Sequence, residues 1–298
     1  MTAKMTPVID VTDAILVSST VPETDHPVWA VGTTYALAAN VIKGHKIWES
    51  VQAGNLGNDP ETDDGTWWTE GLATNRWKVF DGYLQDQTSQ ATSAEWVLTP
   101  GQYFDTVAFL NINAAAVQIV IDDPAEGEVY NETYDLVDNS AVFDGWSYFF
   151  APIIQRSNFC VSDLPPYQSA TMTITFTGTT VFVGQIAMGL AEVLGFTSNQ
   201  MPIGIEDYTR LNEDTFGRTS PVVRGYARTA TPMVVVDRAR VRYLERVVAD
   251  QRGIPTIWSF DTPDGASDLV YLGFFRRFSM VYQYANKATF DLEIRSLV

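Results

Sequence analysis

Cysteine is almost absent: Cys160 stands alone, so the chain can form no internal disulfide. Its neighbours in "SNFCVSD" are neutral or acidic, and nothing there lowers a thiol pKa, which fits a structural thiol. Histidine is nearly as scarce. His26 and His45 lie 19 residues apart with no cysteine cluster beside them, which argues against a zinc site. No Gly-rich phosphate loop, dinucleotide fingerprint or G-x-S-x-G elbow occurs. Carboxylates are plentiful, but no pair is marked out for glycoside chemistry. The expectation is a protein that is not an enzyme and needs no cofactor or metal.

Positive charge is also short. The chain carries 19 Lys and Arg against 36 Asp and Glu, a net charge of −17. Residues 1–150 hold 22 acids and 5 basic residues, a balance of −17, while residues 151–298 hold 14 of each. An acidic surface repels phosphates, so sequence-specific nucleic-acid recognition is not expected. After residue 150 the only lysine is Lys287; the other basic residues are arginines, whose planar forks suit fixed pairing at protein interfaces.

Long apolar helical runs are missing as well. Residues 164–191 are uncharged, but "TMTITFTGTT" alternates Thr with apolar residues, and Pro165, Pro166, Gly178 and Gly184 interrupt the stretch. That is strand chemistry, and no membrane span is expected. At the N-terminus, Asp10 and Asp13 fall where a signal peptide needs an unbroken apolar run.

What is present points to β-structure. Hydrophobic residues make up 46% and aromatics 12%, enough for a sizeable core. Residues 1–27 read as an extended arm, and residues 28–71 as a compact aromatic unit with "GTT" and "KGHK" turns. Residues 76–195 hold eight strand-like runs, including "WSYFFAPII", and predict a β-sandwich or jelly roll. Residues 196–229 are polar and Gly-rich and read as a connecting arm. Residues 230–298 read β-α-β-β-β. Asp237 is the expected N-cap of a helix whose apolar face is Val241, Leu244, Val247 and Val248, stopped by Gly253 and Pro255. A "DTPDG" turn follows in the last sheet. The helix "DRARVRYLERVVADQR" is rich in arginine, but Asp237, Glu245 and Asp250 interleave, and Arg246–Asp250 is an i,i+4 pair, so a salt-bridged outer face is expected.

The stretch "NLGNDPETDDGTWW" raises its own question. Asp59, Glu61, Asp63 and Glu70 match part of an EF-hand count, but position 6 is Asp64 rather than Gly and no helices flank it. A solvated acidic turn is the expectation.

The order Trp29, Tyr35, Gly44-His45-Lys46, Ile47-Trp48, Asn58-Asp59-Pro60, Thr66-Trp67-Trp68 resembles small carbohydrate-binding modules of bacterial chitinases and cellulases, families 5 and 12. That resemblance makes Trp48, Trp67 and Trp68 candidate glycan-stacking rings. The alternative is that a unit this small needs those rings as its own core. Further on, "VFVGQIAMGLAEVLGFTSNQMPIGIEDYTR…DTFGRTSPVVRGYARTATPMVVVDRARVRYLERVVADQRGIPTIW" and "LGFFRRFSMVYQYANKATFDLEIRSL" resemble tailed-bacteriophage virion proteins. Those carry a similar N-terminal unit, a "G–DYSR–D–G" arm, an R-x-x-x-L helix and a closing strand. "IEDYTRLNEDTFG" departs from that pattern, and "LEIRSL" lacks its final Gly.

The resemblance implies a structural subunit of a phage tail, forming a ring of copies at the distal tail or baseplate. Its partners would be other tail proteins and tail fibres, and its place the virion. Arg210, Arg218, Arg224 and Arg228 are the candidate interface residues. The rival expectation is an adhesin module that contacts host-surface glycan.

Overall fold

The computed structural model describes residues 1–298 except 139–141, 153, 198–200, 214, 262–268 and 283–285. The expected "DTPDG" turn falls almost wholly outside the described residues, as does Asp214 of the arm. The fold is mostly β.

The chain opens with β1 (Thr2–Pro7) and β2 (Leu16–Ser19), then a small unit of β3 (Thr34–Tyr35), β4 (Asn40–Lys43), β5 (Lys46–Ser50), β6 (Asn55–Leu56) and β7 (Trp68–Ala73). β4, β5 and β7 make a three-stranded antiparallel sheet, and β3 pairs β6. Gly44 and His45, with φ of 57° and 63°, close the β4–β5 hairpin in a left-handed two-residue turn that suits the twist of paired strands.

A larger sheet follows: β8 (Thr88–Leu98), β9 (Thr106–Asn113), β10 (Ala116–Asp123), β11 (Gly127–Asp135), the short β12 (Val137–Asp138), helix α1 (Gly145–Phe150), β13 (Ile154–Gln155), β14 (Asn158–Val161) and β15 (Thr171–Gly189). β15 pairs β8 along one edge. Along the other it pairs β10 through its first half and β9 through its second. The sheet bends at the irregularity between Thr177 and Thr180. Phe109 lies opposite Ile186, ten residues from Phe176, which on a flat strand is roughly 33 Å. Yet the Phe109 and Phe176 rings meet edge to face, centroids 5.2 Å apart. The sheet therefore folds over itself into a sandwich-like core, filled by alternate residues such as Trp96, Val117, Ile119, Ile174 and Phe176.

The rest of the chain is β16 (Glu192–Thr197), β17 (Ile203–Asp207), β18 (Arg210–Glu213), β19 (Thr219–Val222), β20 (Tyr226–Ala230), β21 (Met233–Asp237), helix α2 (Val241–Asp250), β22 (Thr256–Asp261), β23 (Val270–Val281) and β24 (Lys287–Ser296). The order β24-β21-β16-β1-β22-β23 returns to β24, a closed six-stranded antiparallel barrel. β24 alternates as a barrel strand must: Ala288, Phe290, Leu292 and Ile294 are buried, while Asp291, Glu293 and Arg295 are not. The edge of α2 formed by Val241, Leu244 and Val248 packs into that interior, with Val247 at its margin. The outer face of the helix carries the Arg246–Asp250 pair at 4.0 Å.

Two expectations are corrected, and a third gains partners. The extended segment 1–27 carries two short strands, and both are paired. β1 fills the gap between β16 and β22, pairing their otherwise open edges, and β2 joins β8. Residues 203–230 are not an irregular connection but one long hairpin, β17 pairing β20 at its base and β18 pairing β19 farther out. Asp237 does not cap α2: it precedes a 3-10 turn with no side-chain cap, and its carboxylate instead pairs Lys287 at 2.5 Å.

Barrel and sandwich share a seam. The outward faces of β22 and β23 bury Ile257, Val270 and Leu272 against Ala108, Leu110, Ala187 and Cys160. Lys4 crosses it, 3.1 Å from Asp163.

Candidate assembly surfaces

The aromatic unit is built around its tryptophans. Val41, Trp48 and Trp68 form its core, with Trp29, Tyr35 and Trp67 packed against them. Trp48 is 9% exposed and Trp68 1%, and their indole N–H groups donate to the carbonyls of Lys43 and Asn58. Those two rings are buried in the unit's own core and present no open face to a sugar. Trp67 is half-buried at the edge of the cluster.

The acidic loop is a knot of internal bonds. Lys43 pairs Asp59 at 2.5 Å and Glu61 at 3.5 Å, and lies 4.3 Å above the Trp29 ring. The Lys43 hydrogen bond holds the Asp59 carboxyl below its usual range. Asp63 accepts from the backbone N–H groups of Gly65, Trp67 and Trp68, each at 3.0 Å, and Glu70 pairs Lys46. All four acids of the calcium count are thus engaged within the protein. Among the described residues, no group of three His, Cys, Asp or Glu side chains is placed to hold a metal.

His45 joins this unit to the rest. Its Nε2 lies 2.7 Å from Asp13 and its Nδ1 2.8 Å from Glu23, while its ring stacks on Trp77 with centroids 4.2 Å apart. Thr74 also donates to Glu23 at 2.8 Å. A pocket beside them is lined by His45, Lys46, Trp77, Phe80 and Asp81. Burial pushes the Asp81 carboxyl up to about 6. One of its oxygens has no hydrogen-bond partner and the other accepts from Tyr83 N–H.

The four arginines expected at an interface divide. Arg210, Arg218 and Arg224 are exposed on or beside the outer hairpin. Arg228 is half-buried, its guanidinium 4.8 Å from the Tyr271 ring and its backbone N–H donating to Ser296 Oγ at 2.8 Å. It belongs to the packing of the barrel. Every described residue of β18 and β19 is exposed, on both faces.

One surface escaped the sequence reading. "WSYFFAPII", expected as a strand, begins within the short exposed helix α1. Asp144 accepts from Ser147 N–H at 2.6 Å, and Ser147 Oγ accepts from Asp144 N–H at 2.9 Å, a reciprocal cap. Phe143 is 85% exposed, Trp146 70% and Phe149 77%, with Tyr148 and Phe150 similar. The available signal was the Asp-x-x-Ser spacing after Phe143; a strand would have buried alternate rings, but aromatic β-propensity masked it.

No known protein-family model matches the chain, and no curated protein is similar to it.

Proposed function

We propose that this chain is a structural subunit of a tailed-bacteriophage virion, assembling through lateral contacts into a ring at the distal tail or baseplate. The observation that carries the self-assembling part is the hairpin 203–230. It projects from a closed barrel, and its outer strands cover nothing in their own subunit. A two-stranded ribbon is marginal in water by itself, so a ribbon exposed on both faces gains from a partner. The virion assignment rests on the resemblance of the arm, the α2 helix and the closing strand to phage tail proteins. In this reading the barrel forms the ring wall, and the acidic sandwich with its aromatic unit projects outward toward fibres or other tail proteins. The glycan-adhesin alternative loses support because Trp48 and Trp68 are core residues.

The test is electron microscopy of the purified chain and of intact particles labelled with an antibody to it. Annular particles and label at the distal tail are expected. Monomers at high concentration would overturn the ring, and unlabelled particles with accessible epitopes would overturn the virion assignment.

A further inference from the structure

Two exposed features border the same groove. The β12–β13 ribbon forms the neck of the α1 loop, and β20 is the base strand of the hairpin. Asp138, Ile154 and Gln155 from the first and Tyr226 and Arg228 from the second line a groove of about 300 Å³. The α1 loop is apolar and acidic. Residues 79–155 contain 12 acids and no Lys or Arg, with Asp135, Asp138 and Asp144 nearest the rings. The hairpin is richer in arginine in its outer part: residues 208–230 contain Arg210, Arg218, Arg224 and Arg228 against Glu213 and Asp214. Its outer half also exposes apolar side chains, Leu211 and, at 81%, Val223.

We propose that the aromatic loop, Phe143 through Phe150, seats on the β18–β19 hairpin of a second copy, head to tail. Three observations select this occupant. Arginine forks stack on aromatic faces and pair with carboxylates, so Arg210 and Arg224 match both the rings and the acids of the loop. The five rings present roughly 700 Å² between them, close to the ~800 Å² that one partner gives a standard interface. The capping bonds of Ser147 and the ring contacts Trp146–Phe150 and Tyr148–Phe149 fix the loop before binding, which lowers the ordering cost. An anionic lipid surface is a poor match, because a loop without basic residues is repelled by it. Loop and hairpin are different surfaces of one subunit, so the contact repeats from copy to copy and can close a ring.

The inference rests on the self-assembling part of the proposed function, and a cysteine cross-link tests it. Cys160 is buried in the seam, so an introduced surface thiol is the reactive one. Phe149→Cys and Val223→Cys are made separately in the full chain, mixed, and oxidised with glutathione disulfide. Each new S–S bond releases reduced glutathione. The expected product is a covalent dimer containing one of each variant, at least tenfold over either homodimer. A double variant, Trp146→Ser with Phe149→Ser, should weaken self-association at least tenfold by sedimentation without changing the circular dichroism spectrum. So should Arg210→Glu with Arg224→Glu. Equal homodimers, or no cross-link, would overturn the contact. Ring-dependent pelleting with phosphatidylglycerol vesicles would overturn it in favour of a lipid surface. Annular particles without the cross-link would remove this contact and leave the ring reading standing; absence of both would remove the two together.

Discussion

His45 and Trp77 stack ring on ring, 4.2 Å between centroids, and this contact fastens the aromatic unit to the body of the protein. His45 reaches Asp13 and Glu23 on either side, so one residue at a hairpin turn ties three segments together. Replacing it by Ala should leave the sandwich and barrel intact but loosen the unit. The cost is about 1–3 kcal/mol from the lost charge-assisted hydrogen bonds. Limited proteolysis should then cut near residues 71–76 at protease levels that spare the parent. Unchanged cleavage would show that other contacts hold the unit.

Trp68→Ala should be far more damaging than Trp67→Ala. Trp68 is fully buried, and removing a core tryptophan costs about 3–5 kcal/mol, while Trp67 is half-buried. Denaturant unfolding followed by fluorescence would rank them. Added chito- or cello-oligosaccharides should not change the emission of Trp48 or Trp68; a quench would return those rings to the binding surface.

Asp81 gives a pH signature. Its folded pKa of about 6 lies above the ordinary carboxylate value, because burial disfavours the charge. Between pH ~4 and ~6 the folded state therefore holds a proton that the unfolded chain has lost. The stabilisation is complete below pH ~4 and is lost as the pH rises through ~6. Asp81→Asn should raise stability at pH 7 by about 1–3 kcal/mol, and much less at pH 4. Equal shifts at both would refute the burial argument.

Gly189 passes so close to β1 that a Cβ there would sit 2.0 Å from the carbonyl oxygen of Pro7. Backbone cannot yield as a side chain can. Gly189→Ala should displace β1 and cost several times more than Gly145→Ala, where nothing lies within 4 Å. Thermal melts of the pair decide it; similar melting temperatures would count against the docked position of β1.

Much of this was legible in the sequence, and the reasons differ by element. The alternation in "TMTITFT" and "ATFDLEI" placed the first half of β15 and all of β24, because the period of a half-buried strand is visible locally. "VFVGQIAMGLA" reads as a strand of its own but forms the second half of β15. The face of α2 was legible for the same reason at the helical period. Closure of the barrel was not. "TAKMTP" is a weak pattern whose partners lie near residues 195 and 258, and pairing across such separations leaves no local trace. The tryptophans of the aromatic unit were identified, but not their direction, since burial and glycan stacking favour the same residue. The exposed α1 loop failed outright: five rings in eight residues look like core, and only tertiary context puts them outside.

The barrel also has a consequence for the order of folding. β1 leaves the ribosome well before its partner β22 and the closing strands β23 and β24. The aromatic unit and the sandwich strands β8–β15 can pair during synthesis, and β1 can pair β16 once Thr197 is made, but its other edge must wait for β22. Until then its edge is open to any passing strand, including the β1 of another nascent chain. Pairing between strands so far apart in the sequence is slow compared with the local pairing of the sandwich strands.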